Sequence, residues 1–145
     1  MADNFLVNPR QFKFELVGPE KIEVSSLEER VTLPGEEGDF MVLAGHTLLL
    51  AGLRPGIISV THANNNVVRY FIDGGFADVG NAHCTVLSPT IIPVVRIVVD
   101  QVAREIEHLE REIAEAANDD TRRQRLEKDM EVLQLKLEAA QKYNA

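Results

Sequence analysis

The sequence predicts an all-β sandwich of about ten short antiparallel strands followed by a C-terminal α-helical hairpin. Three observations carry this. Up to residue 90, short apolar segments alternate with Gly, Pro and Asn turn clusters. No connection in that part is long or helical enough for a parallel crossover. From Val94 onward Gly and Pro disappear, and apolar residues recur every three or four positions, the period of one helix face.

In order, Met1 to Arg10 reads as a loose leader. Phe12, Phe14 and Leu16 then alternate with Lys13 and Glu15, a strand with one wet face. Gly18-Pro19 ends it. Lys21 to Ser25 alternates again, with Ile22 and Val24 expected on one side. The central stretch Arg30 to Val60 reads as strand, turn, strand, turn, strand, punctuated by Pro34-Gly35, Gly38-Asp39 and Pro55-Gly56. Pro presets φ at a turn corner and Gly accepts positive φ. Asn64-Asn65-Asn66 turns the chain into a strand from Val67 to Ile72. Asp73-Gly74-Gly75 turns it into Phe76 to Val79, and Gly80-Asn81 separates that from Cys84 to Leu87. Pro89 and Pro93 bracket the boundary, giving a sandwich over 1–90 and a hairpin over 94–145.

In the hairpin, Val95, Val98 or Val99, Val102, Ile106, Leu109, Ile113 and Ala116 form the first stripe. Asn118-Asp119-Asp120 interrupts. Thr121 with Gln124 suggests a capping box opening the second helix, whose stripe is Leu126, Met130, Leu133 and Leu137. Val98, Val132 and Leu135 add apolar positions that one helix–helix seam does not use. Such a hairpin needs another surface and is free to change partners.

Composition excludes several classes. The 145 residues allow one domain, or a small domain with an appendage. A net charge of −8 argues against nucleic acid and anionic lipid. The lone Cys84 forms no internal disulfide and reads as a small buried hydrophobe. Nothing near Met1 resembles a secretory signal or an Arg-rich transit peptide. No segment approaches the roughly 20 apolar residues of a membrane span, so any membrane link is expected through a partner.

No catalytic or metal site is legible. His46, His62, His83 and His108 share no HxxxH or HExxH spacing. Ser25, Ser26 and Ser59 lack a nucleophile elbow. Gly74-Gly75 has no dinucleotide-binding continuation and reads as a tight turn. No cofactor is expected. Two features stay open between plain and functional readings. Glu36, Glu37 and Asp39 make either a solvated turn or a docking loop. His46 is either a strand-end residue bonded to backbone or a partner contact.

Leu33-Pro34-Gly35, Gly38-Asp39-Phe40, Leu43, Gly45-His46, Leu49, Leu53 and Pro55-Gly56, with Gly74-Gly75-Phe76, Val79 and Thr85-Val86-Leu87, resemble the epsilon subunit of the bacterial-type F-type ATP synthase. The resemblance runs end to end, because the helical hairpin follows in place. It implies a non-catalytic subunit of the central rotor stalk, linking the gamma subunit to the c-ring during proton-driven ATP synthesis. It also implies regulation of hydrolysis through the C-terminal helices, with the alpha and beta subunits as further partners. The location implied is peripheral, on the cytoplasmic face of a bacterial inner membrane. Glu36, Glu37, Gly38 and Asp39 match the loop facing the c-ring, and His46 matches a position facing gamma. Some family members bind ATP through an Ile/Leu-Asp-x-x-Arg-Ala motif. The nearest stretch here, Val99 to Arg104, has its Arg one place late, about 100° around a helix. Asp100 and Arg104 thereby suit an i,i+4 surface ion pair, which counts against ATP binding there. Ala44, Thr47-Leu48 and Ser88-Pro89-Thr90 also depart from the family pattern. The alternative is a free-standing β-sandwich ligand-binding module with a dimerising hairpin; the absence of Trp gives it little support.

Overall fold

The computed structural model describes residues 9–144; the expected leader lies outside them except for Pro9 and Arg10, which form a turn. The chain divides into two compact units, 1–91 and 92–145. The first holds β1 (Phe12–Val17), β2 (Ile22–Glu28), β3 (Arg30–Gly35), β4 (Gly38–Val42), β5 (Leu49–Leu53), β6 (Gly56–Thr61), β7 (Val67–Ile72), β8 (Gly75–Val79) and β9 (His83–Leu87). The division falls inside β10 (Ile91–Pro93), which lies beside β7.

The strands form one connected sheet in the order β10-β7-β6-β3-β5-β8-β9-β1-β2, with β4 on β3. Its two halves meet at a single pair, Gly35 opposite Leu53. Both halves bury their inward residues in one core: Phe12, Phe14 and Leu16 from β1, Val31 and Leu33 from β3, Ile58 and Val60 from β6, Ala77 and Val79 from β8, Cys84 and Val86 from β9. The period-2 spacing that marks each strand is what lets alternate side chains fill one shared interior.

Among the described pairs of β1 to β9, pairing is antiparallel with one exception. β1 runs parallel to β9, Phe14 opposite Cys84 and Leu16 opposite Val86. The two partners are distant in sequence, so the chain between them serves as the connection and no crossover helix is needed. The central stretch also holds four strands rather than three. Gly45, at φ +82, breaks the apolar run after β4, and its N–H donates to the Asn81 carbonyl (2.7 Å). A register irregularity between Leu16 and Val17 pairs Val17 with Ile22 and leaves Ile22 exposed, separating it from Val24.

One buried charge stands out. Glu28, on the core side of β2 opposite Phe12, is 2% exposed. Its carboxylate accepts from Ser26 Oγ (2.6 Å) and pairs with His62 Nδ1 (2.8 Å). Tyr70 has its phenol pushed above its ordinary value by burial and, secondarily, by the Glu28 charge.

In the second unit, a 3-10 turn at Val94–Arg96 precedes α1 (Val99–Glu115) and α2 (Asp120–Tyr143). Val95 was expected to open the first stripe but lies in that turn, 83% exposed. The seam between the helices centres on Leu109, Ala116 and Leu126, with Ile113, Met130 and Leu133 against them. The cap of α2 is Asp119, not Thr121: its carboxylate accepts from the Arg122 N–H (3.1 Å). An Asp two places earlier reaches the free N–H groups first, so the helix starts before Thr121. At the far end Asn144 Nδ2 donates to the carbonyls of Val94 (2.7 Å) and Ile97 (3.3 Å), closing the unit on itself.

Candidate functional site

The acidic turn is a two-residue hairpin loop. Gly35 pairs with Gly38, so Glu36 and Glu37 form its tip between β3 and β4. Gly38 takes φ +135, which lets both glutamates keep negative φ. Gly35 is buried, and a Cβ there would strike the Gly38 carbonyl and the Phe40 ring. Glycine on both sides therefore makes this tight reversal possible.

The turn sits on the seam between the two halves of the sheet. The Glu36 N–H donates to the Gly52 carbonyl (3.0 Å), and the Arg54 N–H donates to the Pro34 carbonyl (2.9 Å). A side chain at Gly52 would collide with the Glu36 carboxylate, so that glycine makes room for it. The Arg54 guanidinium spans the turn, donating from Nη1 to the Gly35 carbonyl and from Nη2 to the Asp39 carboxylate, each at 2.5 Å. Between the turn and β5 lies an open groove of about 460 Å³, lined by residues 35–40 and 49–52. Beside it Leu48 and Leu50 are 79% and 70% exposed. Exposed leucines next to free carboxylates give the mixed character of a protein-docking surface, apolar anchors within a polar rim.

His46 lies in the loop between β4 and β5, half-buried, its Nδ1 within 2.7 Å of the Thr47 carbonyl. It is in an irregular loop and not at a strand end. Asp100 and Arg104 are exposed on α1, and no ion pair forms between them. Solvent at both side chains offsets the small gain such a pair would bring. The structure thus brings Glu36, Glu37, Gly38 and Asp39 together on one turn, while His46 lies on a different loop of the first unit and Asp100 and Arg104 belong to the second unit.

Sequence reasoning missed Arg54 and Gly52. A single charged residue between the apolar β5 and Pro55-Gly56 was the available signal for Arg54. Nothing in the sequence marked Gly52 as the place where Glu36 lies. Elsewhere, burial pushes the Cys84 thiol up to about 12, with a smaller contribution from Asp78. Among the described residues no group of three or more His, Cys, Asp or Glu is placed to hold a metal ion.

A family model described as the ATP synthase Delta/Epsilon chain beta-sandwich domain matches residues 11–94. The ATP synthase epsilon chain of Parvibaculum lavamentivorans is 39% identical over 118 residues, covering 81% of this chain and 89% of that one. The chain belongs to the ATP synthase epsilon family. The epsilon chain of Mesorhizobium japonicum is 38% identical over 111 residues, covering 77% of this chain and 82% of its own. The fold agrees with a chain in the cryo-EM structure of the Euglena gracilis mitochondrial ATP synthase, OSCP/F1/c-ring in rotational state 1. That match has a TM-score of 0.81 at 26% identity and covers 93% of this chain and 84% of the other. The sandwich and the helical hairpin are thus both epsilon-family features here. Among the described residues no helix is long and apolar enough to cross a membrane.

Proposed function

We propose that this epsilon-family chain is a non-catalytic rotor subunit, linking a gamma-type coiled coil to a membrane-embedded c-ring and turning with them. Its place would be peripheral, at the cytoplasmic face of a bacterial inner membrane. The observation that carries the reading is the Glu36–Glu37 turn in an epsilon-family sandwich. It is exposed, acidic, and mounted on the seam that joins the two halves of the sheet. A part that transmits torque needs a stiff body, and a turn bonded to both halves shares load between them. Glu36, Glu37, Gly38 and Asp39 would face the ring, and His46 would face gamma. Family membership favours this reading over a free-standing ligand-binding module.

The test is reconstitution. The full chain mixed at micromolar concentration with its cognate gamma–c-ring subcomplex is expected to co-migrate with it. Glu36→Gln with Glu37→Gln is expected to weaken that complex about tenfold or more. A chain that stays monomeric beside the subcomplex would end this reading.

A further inference from the structure

We propose that Arg54 is a positioning residue for docking: it fixes the β3–β4 turn against the sheet seam and neutralises Asp39, so that Glu36 and Glu37 alone are presented to the partner. This rests on the docking reading above and deepens it.

Of the three acids in the turn, Asp39 has its charge matched by the Arg54 guanidinium, while among the described residues Glu36 and Glu37 have no basic partner. The guanidinium holds two acceptors at once, the Gly35 carbonyl at the start of the turn and the Asp39 carboxylate just after its end. A planar fork fixes both distance and angle, which a lysine ammonium cannot do. The Arg54 backbone is itself bonded to Pro34, so the fork projects from a fixed base. Both side chains of the ion pair are more than 40% exposed. Exposed ion pairs contribute little to folding. The contact therefore matters for where the tip sits rather than for whether the sandwich forms. Placement errors of about half an ångström already degrade a recognition site.

The experiment uses the full chain and its cognate gamma–c-ring subcomplex, with binding and thermal unfolding measured in parallel. Arg54→Met is expected to weaken docking about tenfold with the unfolding midpoint nearly unchanged. Arg54→Lys is expected to recover only part of the loss. The charge swap Arg54→Asp with Asp39→Arg is expected to recover more than Arg54→Asp alone. The sharpest arm is a double-mutant cycle with Glu37→Gln. Arg54 and Glu37 share no ion pair, so a positioning role predicts that Glu37→Gln costs less in the Arg54→Met background than in the wild type.

Three outcomes would overturn the proposal. Arg54→Met could dock as tightly as wild type while Glu36→Gln/Glu37→Gln is weakened; the docking turn then stands and Arg54 has no part in it. Binding and unfolding midpoint could fall together, with additive Arg54 and Glu37 effects; Arg54 is then merely structural. Finally, Glu36→Gln/Glu37→Gln could dock as wild type, in which case the docking reading itself fails and takes this proposal with it.

Discussion

Glu28 offers the most demanding test of the packing. Its carboxylate is 2% exposed and accepts two hydrogen bonds, from Ser26 Oγ at 2.6 Å and His62 Nδ1 at 2.8 Å. Hydrogen bonds to a charged group contribute about 1.5–3 kcal/mol each. His62 is 40% exposed and can rebond to water, so its share falls at the lower end. Glu28→Ala deletes both bonds and the packing of the stem; the expected loss is about 3–5 kcal/mol, the two bonds at the values above plus the space left by the stem. Glu28→Gln keeps the shape and the Ser26 bond but loses the charge, and should cost about half as much. His62→Ala leaves the buried carboxylate with only the Ser26 bond and should cost about 2–3 kcal/mol. For a domain whose total stability is about 5–15 kcal/mol, these differences are resolved by urea unfolding of the full chain. A second readout is independent of stability. The Glu28 charge raises the Tyr70 phenol, so Glu28→Gln should lower its titration point, leaving the larger effect of burial in place. Absorbance titration in a Tyr143→Phe background isolates Tyr70, since the chain has two tyrosines. If Glu28→Ala unfolds within 0.5 kcal/mol of wild type, by order of magnitude the smallest effect worth assigning, or if Tyr70 titrates unchanged in Glu28→Gln, the buried carboxylate does not hold this corner.

Three further outcomes follow from the same geometry. Gly75→Ala should destabilise by about 3 kcal/mol, because Gly75 sits at φ +152 and a Cβ there would strike the Leu87 carbonyl; near-wild-type melting would contradict this. Folding raises the Cys84 thiol to about 12, so the unfolded chain releases its thiol proton first as pH climbs. Stability is then intact below about pH 9 and falls between 9 and 12. Cys84→Ala should flatten that limb of a melting-temperature profile, and equal slopes for both proteins would refute the assignment. Deleting residues 94–145 should leave a sandwich with cooperative unfolding, since the core of the first unit uses side chains from β1 to β9. A truncated chain lacking a cooperative transition would refute that independence.

What the sequence revealed depended on how local the physics was. Phe12, Phe14 and Leu16 announce their strand because neighbouring residues alternate, whatever the rest of the chain does. The same holds for the Leu109-Ile113-Ala116 stripe and for turns forced by Pro55-Gly56 or Gly74-Gly75. The errors came where two nearby options compete. Asp119 and Thr121 can both cap a helix, and only position relative to the first free N–H groups decides. The run after β4 looked continuous because Gly45 alone gives little warning that the backbone turns to meet Asn81. What stayed hidden was non-local: the parallel β1–β9 pairing, the burial of Glu28 beside His62, and the approach of Arg54 to Asp39. Each joins residues from segments far apart in the chain, and one sequence carries no record of which segments adjoin. Within the acidic site, the carboxylates were legible and the arginine that sorts them was not.

The β1–β9 pairing has a consequence for biogenesis. On the ribosome, β1 emerges with only β2 available as a neighbour, and its other edge stays open until the segment ending at Leu87 has been made. Joining edges that far apart carries a large loop-closure entropy, so collapse should be slow and gated by the arrival of the last long strand. A nascent chain stalled earlier would hold an unsatisfied strand edge and be prone to aggregate, which makes the emergence of β9 the checkpoint for this half of the molecule.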